Sequence, residues 1–128
     1  MAEKHYVEVN DYGTYWYAWP GTERKLHRLG GPAIEYSAGS REWYQNGQRH
    51  RLDGPAVENA DGGRAWYQNE ALHRLDGPAV EWPDGTKEYW INGTQYTEDA
   101  WIAATQPVVE LTIAEIETLL GKRIKVVK

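Results

Sequence analysis

Apolar and polar residues alternate with a period of two through residues 6–96, and a helical period appears only after residue 97. Pro78 to Trp82 and Thr86 to Ile91 read as two strands around the turn Pro83-Asp84-Gly85, with Asn92-Gly93 following. Asp-Gly and Asn-Gly between β-branched and aromatic runs are strong hairpin signals, because glycine accepts positive φ without steric cost. The pattern recurs upstream. Ser37-Ala38-Gly39-Ser40 precedes Arg41-Glu42-Trp43-Tyr44-Gln45 and Asn46-Gly47. Ala60-Asp61-Gly62-Gly63 precedes Arg64-Ala65-Trp66-Tyr67-Gln68 and Asn69. There Glu70 stands in the glycine position, so that turn is expected to differ.

The units are joined by a signature. His73-Arg74-Leu75-Asp76-Gly77-Pro78-Ala79-Val80-Glu81 repeats letter for letter from His50 to Glu58, and a near copy runs from His27 to Glu35; the period is 23 residues. Val7 to Tyr17 reads as a degenerate first unit around Asn10-Asp11-Tyr12-Gly13, followed by a longer loop from Trp19 to Arg28. The fold class expected is mainly β: an elongated single-layer antiparallel meander of about four two-stranded hairpins over residues 1–96. One edge would carry the tight turns near Asp11, Gly39, Asp61 and Asp84, and the other the long signature loops.

The strand period places Ile34, Val57 and Val80 on one face with Tyr36 and Trp82, and Ala33, Ala56 and Ala79 on the other with Glu35, Glu58 and Glu81. On the return strands Trp43, Trp66 and Tyr89 form one row and Tyr44, Tyr67 and Trp90 the opposite row. Aromatics on both faces need a cover. Residues 97–128 are expected to supply it as a helix–strand–helix–strand cap. Thr97 is a natural N-cap for a helix from Glu98 to Ala104, which Gln106-Pro107 ends. Val108 to Leu111 reads as a strand. Thr112 and Glu115 make a capping box, Ile113, Ile116, Leu119 and Leu120 line one helical face, and Gly121 is a stop signal. Arg123 to Val127 alternates as a last strand.

Composition narrows the function. Seven Trp and nine Tyr with no Phe suit partly covered rings with wet tips rather than a thick core. The net charge of −5 argues against binding nucleic acid or an anionic membrane. No cysteine is present, so neither disulfides nor thiolate zinc ligands arise. The longest apolar run is a few residues, far short of a membrane span. A soluble cytoplasmic protein is expected.

The unit resembles the MORN repeat (membrane occupation and recognition nexus). Asp84-Gly85, the aromatic pair Tyr89-Trp90, Asn92-Gly93, and His73 with Gly77 at the join carry the resemblance, over roughly residues 6–96. The variant it most resembles, with an H-R-x-D-G-P-A signature, is associated with phage and bacterial proteins. The resemblance implies a meander used for protein interaction, in the cytoplasm of the host if phage-encoded, and no catalytic residues.

The repeated polar residues point to structure more than chemistry. His27, His50 and His73 recur two strands apart, ~10 Å, too far to share a zinc ion that binds nitrogens at ~2.0–2.1 Å. Each is expected to hydrogen-bond within its own loop, and no metal or cofactor is expected. Asp53 and Asp76 are read as turn residues pairing with Arg51 and Arg74, with Gly54 and Gly77 completing the signature. Glu58 and Glu81, ~10 Å apart, sit at or beyond the ~6.5–9.5 Å of an inverting glycosidase pair. Arg28, Arg51 and Arg74, with Arg49 beside them, are expected to line the long-loop edge as a cationic stripe next to Trp43, Trp66 and Tyr89, a composition of interface hot spots. The competing expectation is that these arginines fold back on the acids and rings as struts. The function expected is a non-enzymatic module that binds, or inhibits, another protein. Two alternatives stay open: a receptor for a sugar or nucleotide, and a homo-oligomer.

Overall fold

The computed structural model of the chain describes residues 4–19, 21–106 and 111–121. It is mainly β, an antiparallel meander followed by two helices, as the alternation predicts. β1 (His5–Asn10) pairs with β2 (Gly13–Ala18), and β3 (Lys25–Leu26) flanks the end of β2. The next unit contains β4 (Ile34–Tyr36), β5 (Arg41–Glu42), β6 (Tyr44–Gln45) and β7 (Gln48–Arg49). The third contains β8 (Val57–Glu58), β9 (Arg64–Ala65), β10 (Tyr67–Gln68) and β11 (Ala71–Leu72). The last contains β12 (Val80–Glu81), β13 (Lys87–Ile91) and β14 (Thr94–Tyr96). The main sheet runs β1-β2-β4-β5-β8-β9-β12-β13-β14, while β6-β7 and β10-β11 form separate hairpins.

β5 with β6, and β9 with β10, are each one return strand interrupted at a tryptophan, so each unit makes one more pass of the chain than the alternation predicts. The Asn-Gly step turns a second hairpin instead of ending the first, and the return strand serves both. Its hinge is the tryptophan. Trp43 N–H donates to the Ala56 carbonyl in the main sheet, 2.8 Å, while its carbonyl accepts from His50 N–H in the second hairpin, 3.0 Å. Trp66 does the same with Ala79 and His73, and Trp16 with Ala33 and His27. Successive second hairpins are tied in turn: Arg51 N–H donates to the Tyr67 carbonyl at 3.1 Å and Arg74 N–H to Trp90 at 3.2 Å. The chain thus forms two tiers of antiparallel structure sharing the aromatic strands.

The core follows that join. Ala33, Ala56 and Ala79 are fully buried, and Ile34, Val57 and Val80 beside them are nearly so. Period two sent these sets to opposite faces and left one of them waiting for a cover. Both are buried within the array itself.

The C-terminal expectation divides in two. α1 (Glu98–Thr105) starts where Thr97 caps it, the hydroxyl accepting from Ala100 N–H at 3.2 Å. It sets Trp101, only 7% exposed, against Tyr89 with ring centroids 4.9 Å apart. α2 (Ile113–Leu120) has the capping box at Thr112 and Glu115 and ends at Gly121, φ 65°, as read from the sequence. No residue of α2 is buried, and Leu119 and Leu120 are 72% and 60% exposed. The cap is supplied by α1 and covers the last hairpin, not a whole face of the sheet. The strand expected from Val108 to Leu111 lies outside the described residues but for Leu111, which is in no strand, and the one expected from Arg123 to Val127 lies wholly outside them. No helix among the described residues is long and apolar enough to cross a membrane.

Candidate functional site

The signature loop is built around its arginine. Arg51 lies on the Trp43 ring, 3.9 Å from its centroid, and Arg74 lies on Trp66 at the same distance; Arg28 covers Trp16 at 4.0 Å. Two of the three guanidinium nitrogens are used nearby. Arg74 Nε donates to Asp76 at 2.9 Å, and Nη1 to the Pro78 carbonyl at 3.0 Å and to Glu81 at 3.4 Å. Arg51 repeats the set with Asp53, Pro55 and Glu58. The glycine makes room for this packing: a Cβ on Gly77 would come within 2.7 Å of the Arg74 guanidinium carbon, and one on Gly54 within 2.9 Å of that of Arg51, so a side chain there would displace the guanidinium. Glu58 and Glu81 also take Arg41 and Arg64 from the neighbouring strand, at 2.7 and 2.6 Å. Both carboxylates are thus occupied by two arginines each.

The arginines expected as a cationic stripe are therefore struts. Arg51 and Arg74 have only about a fifth of the side chain exposed, whereas Asp53 and Asp76 show 88% of theirs. What faces solvent on this edge is acidic. Arg28 is the exception in the row, because Gly30 leaves it without the local aspartate.

Arg49 does not join that row. Its register partner is Tyr44, so it lies on the opposite aromatic face, over the Tyr67 ring at 4.3 Å. It grips Glu70: Nε donates at 2.7 Å, Nη2 makes a second short bond, and the Arg49 backbone N–H donates to the other carboxylate oxygen at 2.6 Å. The turn at Asn69-Glu70 keeps the same conformation as its sisters. Asn46-Gly47 has φ of 50° and 80°, Asn69-Glu70 49° and 67°, and Asn92-Gly93 47° and 79°. The expectation of a different turn thus gives way to a strained copy of the same turn. Left-handed backbone costs a non-glycine residue ~1–2 kcal/mol, and the Arg49 clasp offsets it. Burial pushes the Glu70 carboxyl up, but the Arg49 guanidinium and backbone N–H outweigh this and hold it below the usual carboxylate range. On the same face, burial and the nearby Glu42 carboxylate push the Tyr44 hydroxyl well up; the two share a 3.2 Å hydrogen bond.

The histidines also act between units, not within their own loops. The Nδ1 atoms of His27, His50 and His73 accept from the backbone N–H of Asn46, Asn69 and Asn92, at 3.0–3.1 Å. Each histidine latches the next hairpin turn, and the proton of the neutral ring sits on Nε2. Among the described residues no three His, Asp or Glu side chains converge as a metal set.

One signature residue is left over. Leu29, Leu52 and Leu75 are 77%, 75% and 55% exposed at the loop tips. Between consecutive tips lie two clefts. One, of about 370 Å³, has Trp43, Gln45 and His50 on its floor between Leu29 and Leu52. The other, of about 520 Å³, has Trp66, Gln68 and His73 between Leu52 and Leu75. Tyr89, the third member of the predicted aromatic row, is covered by Trp101 instead of an arginine, because position 97 is threonine. Sequence reasoning missed the leucines and glutamines. The signal was present: an apolar residue at the same place in three otherwise polar loops.

Comparison with models of protein families, with curated proteins and with solved structures finds no match to this chain.

Proposed function

We propose that the protein is a non-enzymatic interaction module that binds another protein along the edge formed by the three signature loops. The observation that carries this reading is the division of labour within the signature. Histidine, arginine, aspartate, glycine, proline and glutamate all have partners inside the array. Leucine, present in every copy, is held in water. Large apolar side chains repeated at the same place in every copy, on one solvent-facing edge, support a contact surface there. The resemblance to MORN repeats supports the same class of function, and its phage and bacterial association suggests a host protein as the target.

The test is affinity capture from bacterial lysate with the wild type and with a Leu29→Glu/Leu52→Glu/Leu75→Glu variant of equal melting temperature. The expected result is a protein retained by the first and lost by the second. A partner retained equally by both moves the interface off the loop edge, and capture by neither removes the reading. The small-ligand alternative draws on the cleft volumes, which fall in the ~300–1,000 Å³ range of ligand sites. A thermal shift with a sugar or nucleotide, abolished by Trp66→Leu, would favour it.

A further inference from the structure

We infer that the partner presents an extended, proline-rich segment in the polyproline II conformation, with an apolar residue every third position and basic residues beside it. The inference rests on the loop edge being the contact surface and specifies what lies in it. Three features of the two clefts point this way.

The first is spacing. Equivalent points in successive units are two strands apart, ~10 Å. A polyproline II chain has three residues per turn and rises ~3.1 Å per residue, so every third side chain faces the same way at ~9.3 Å intervals. Such a chain laid across the loops sends one side chain into each cleft, between Leu29 and Leu52 and then between Leu52 and Leu75. A β-strand turns every third side chain to the opposite face and fails this test. An α-helix comes close with a seven-residue step of ~10.5 Å.

The second feature separates the helix from the extended chain. Each cleft floor repeats the same donors: the histidine Nε2–H, whose other ring nitrogen is engaged with the next turn, and a glutamine amide, Gln45 or Gln68. Neither glutamine side chain hydrogen-bonds to the described residues. A helix brings a backbone that is already paired and would leave these donors buried without acceptors, at a cost. A polyproline II backbone has no internal hydrogen bonds, so its carbonyls are free to accept.

The third feature is charge. Asp53 and Asp76 stand at the rim with 88% of their side chains exposed, on a protein of net charge −5. One carboxylate oxygen of each holds its arginine, and the arginines lining the same clefts, Arg28, Arg51 and Arg74, are themselves paired with Glu35, Glu58 and Glu81. Lysine or arginine flanking the apolar positions matches this rim.

The experiment uses the full chain and a fluorescent synthetic peptide, four Leu-Pro-Pro triplets flanked by lysines. The expected result is saturable binding at least tenfold tighter than that of a peptide of the same composition with leucines at every second position, and at least tenfold tighter than a glutamate-flanked version. Leu52→Glu should weaken it at least tenfold at unchanged melting temperature, and Gln68→Ala several-fold. Equal binding of the respaced peptide, or tighter binding of a lysine-rich helical peptide with leucine every seventh residue, overturns the inference. If no peptide binds but a protein partner still depends on the loop leucines, the extended-segment inference falls and the interaction surface stands. If no interaction depends on the leucines, the surface itself falls.

Discussion

The hairpin array and the helical segment carry local signals of equal quality, yet only one of them is packed throughout. In the array every turn and strand is tied to the next unit, by arginine on tryptophan and by histidine on the following turn. In the helical segment α2 has a complete capping box and a left-handed glycine stop, and buries nothing; α1 has a lower-quality amphipathic pattern and is anchored. The difference is one residue. Trp101 occupies over Tyr89 the place that arginine holds over Trp43 and Trp66, and its indole N–H donates to the Arg74 carbonyl at 3.1 Å. Caps decide where a helix begins and ends. A side chain that completes the ladder of the array decides whether the helix docks.

The substitution that would break this comparison most sharply is Trp101→Ala. It should cost ~3–5 kcal/mol in denaturant unfolding, the usual range for a buried Trp. A loss under ~1 kcal/mol would mean that α1 does not cap the array. Trp66→Ala, in a half-buried ring that supports Arg74, should cost about 3 kcal/mol and release that loop. The Arg49–Glu70 clasp sharpens the comparison inside the array, since the sister positions hold leucine and glycine: Leu26 with Gly47, and Leu72 with Gly93. Arg49→Leu alone should cost about 1 kcal/mol, and adding Glu70→Gly should recover it. A neutral Arg49→Leu would show that the left-handed Glu70 needs no clasp.

Acid gives a smaller effect of definite sign. The Glu70 carboxyl is held low in the folded protein, so its contribution is complete above the unfolded value of ~4.3 and is lost as the pH falls through the folded one. The melting-temperature gap between wild type and Glu70→Gln should be constant above about pH 5 and close as the pH drops below ~4. A gap that widens in acid would reverse the assignment. The smallest effect belongs to α2: Leu119→Ala should change stability by less than ~0.5 kcal/mol, as expected of an exposed position. A large loss would mean that the leucine face is covered.

What the sequence alone determined is what depends on near neighbours in the chain. The period of two, the Asp-Gly and Asn-Gly turns, both helix caps and the Arg–Asp pairs at Arg51 and Arg74 are set within a few residues, and each is found where it was read. The 23-residue recurrence gave the units and their order. What needed tertiary structure is what passes between units. The bend at each tryptophan, the histidine latch to the next turn, the burial of Ala33, Ala56 and Ala79 beside Ile34, Val57 and Val80, and the folding of Arg51 and Arg74 onto rings all join residues 7–23 positions apart. A signature read one copy at a time shows a row of arginines. Only stacking shows that each cation bridges the ring of one unit and the carboxylate of the next, which leaves the leucines, not the charges, to face a partner.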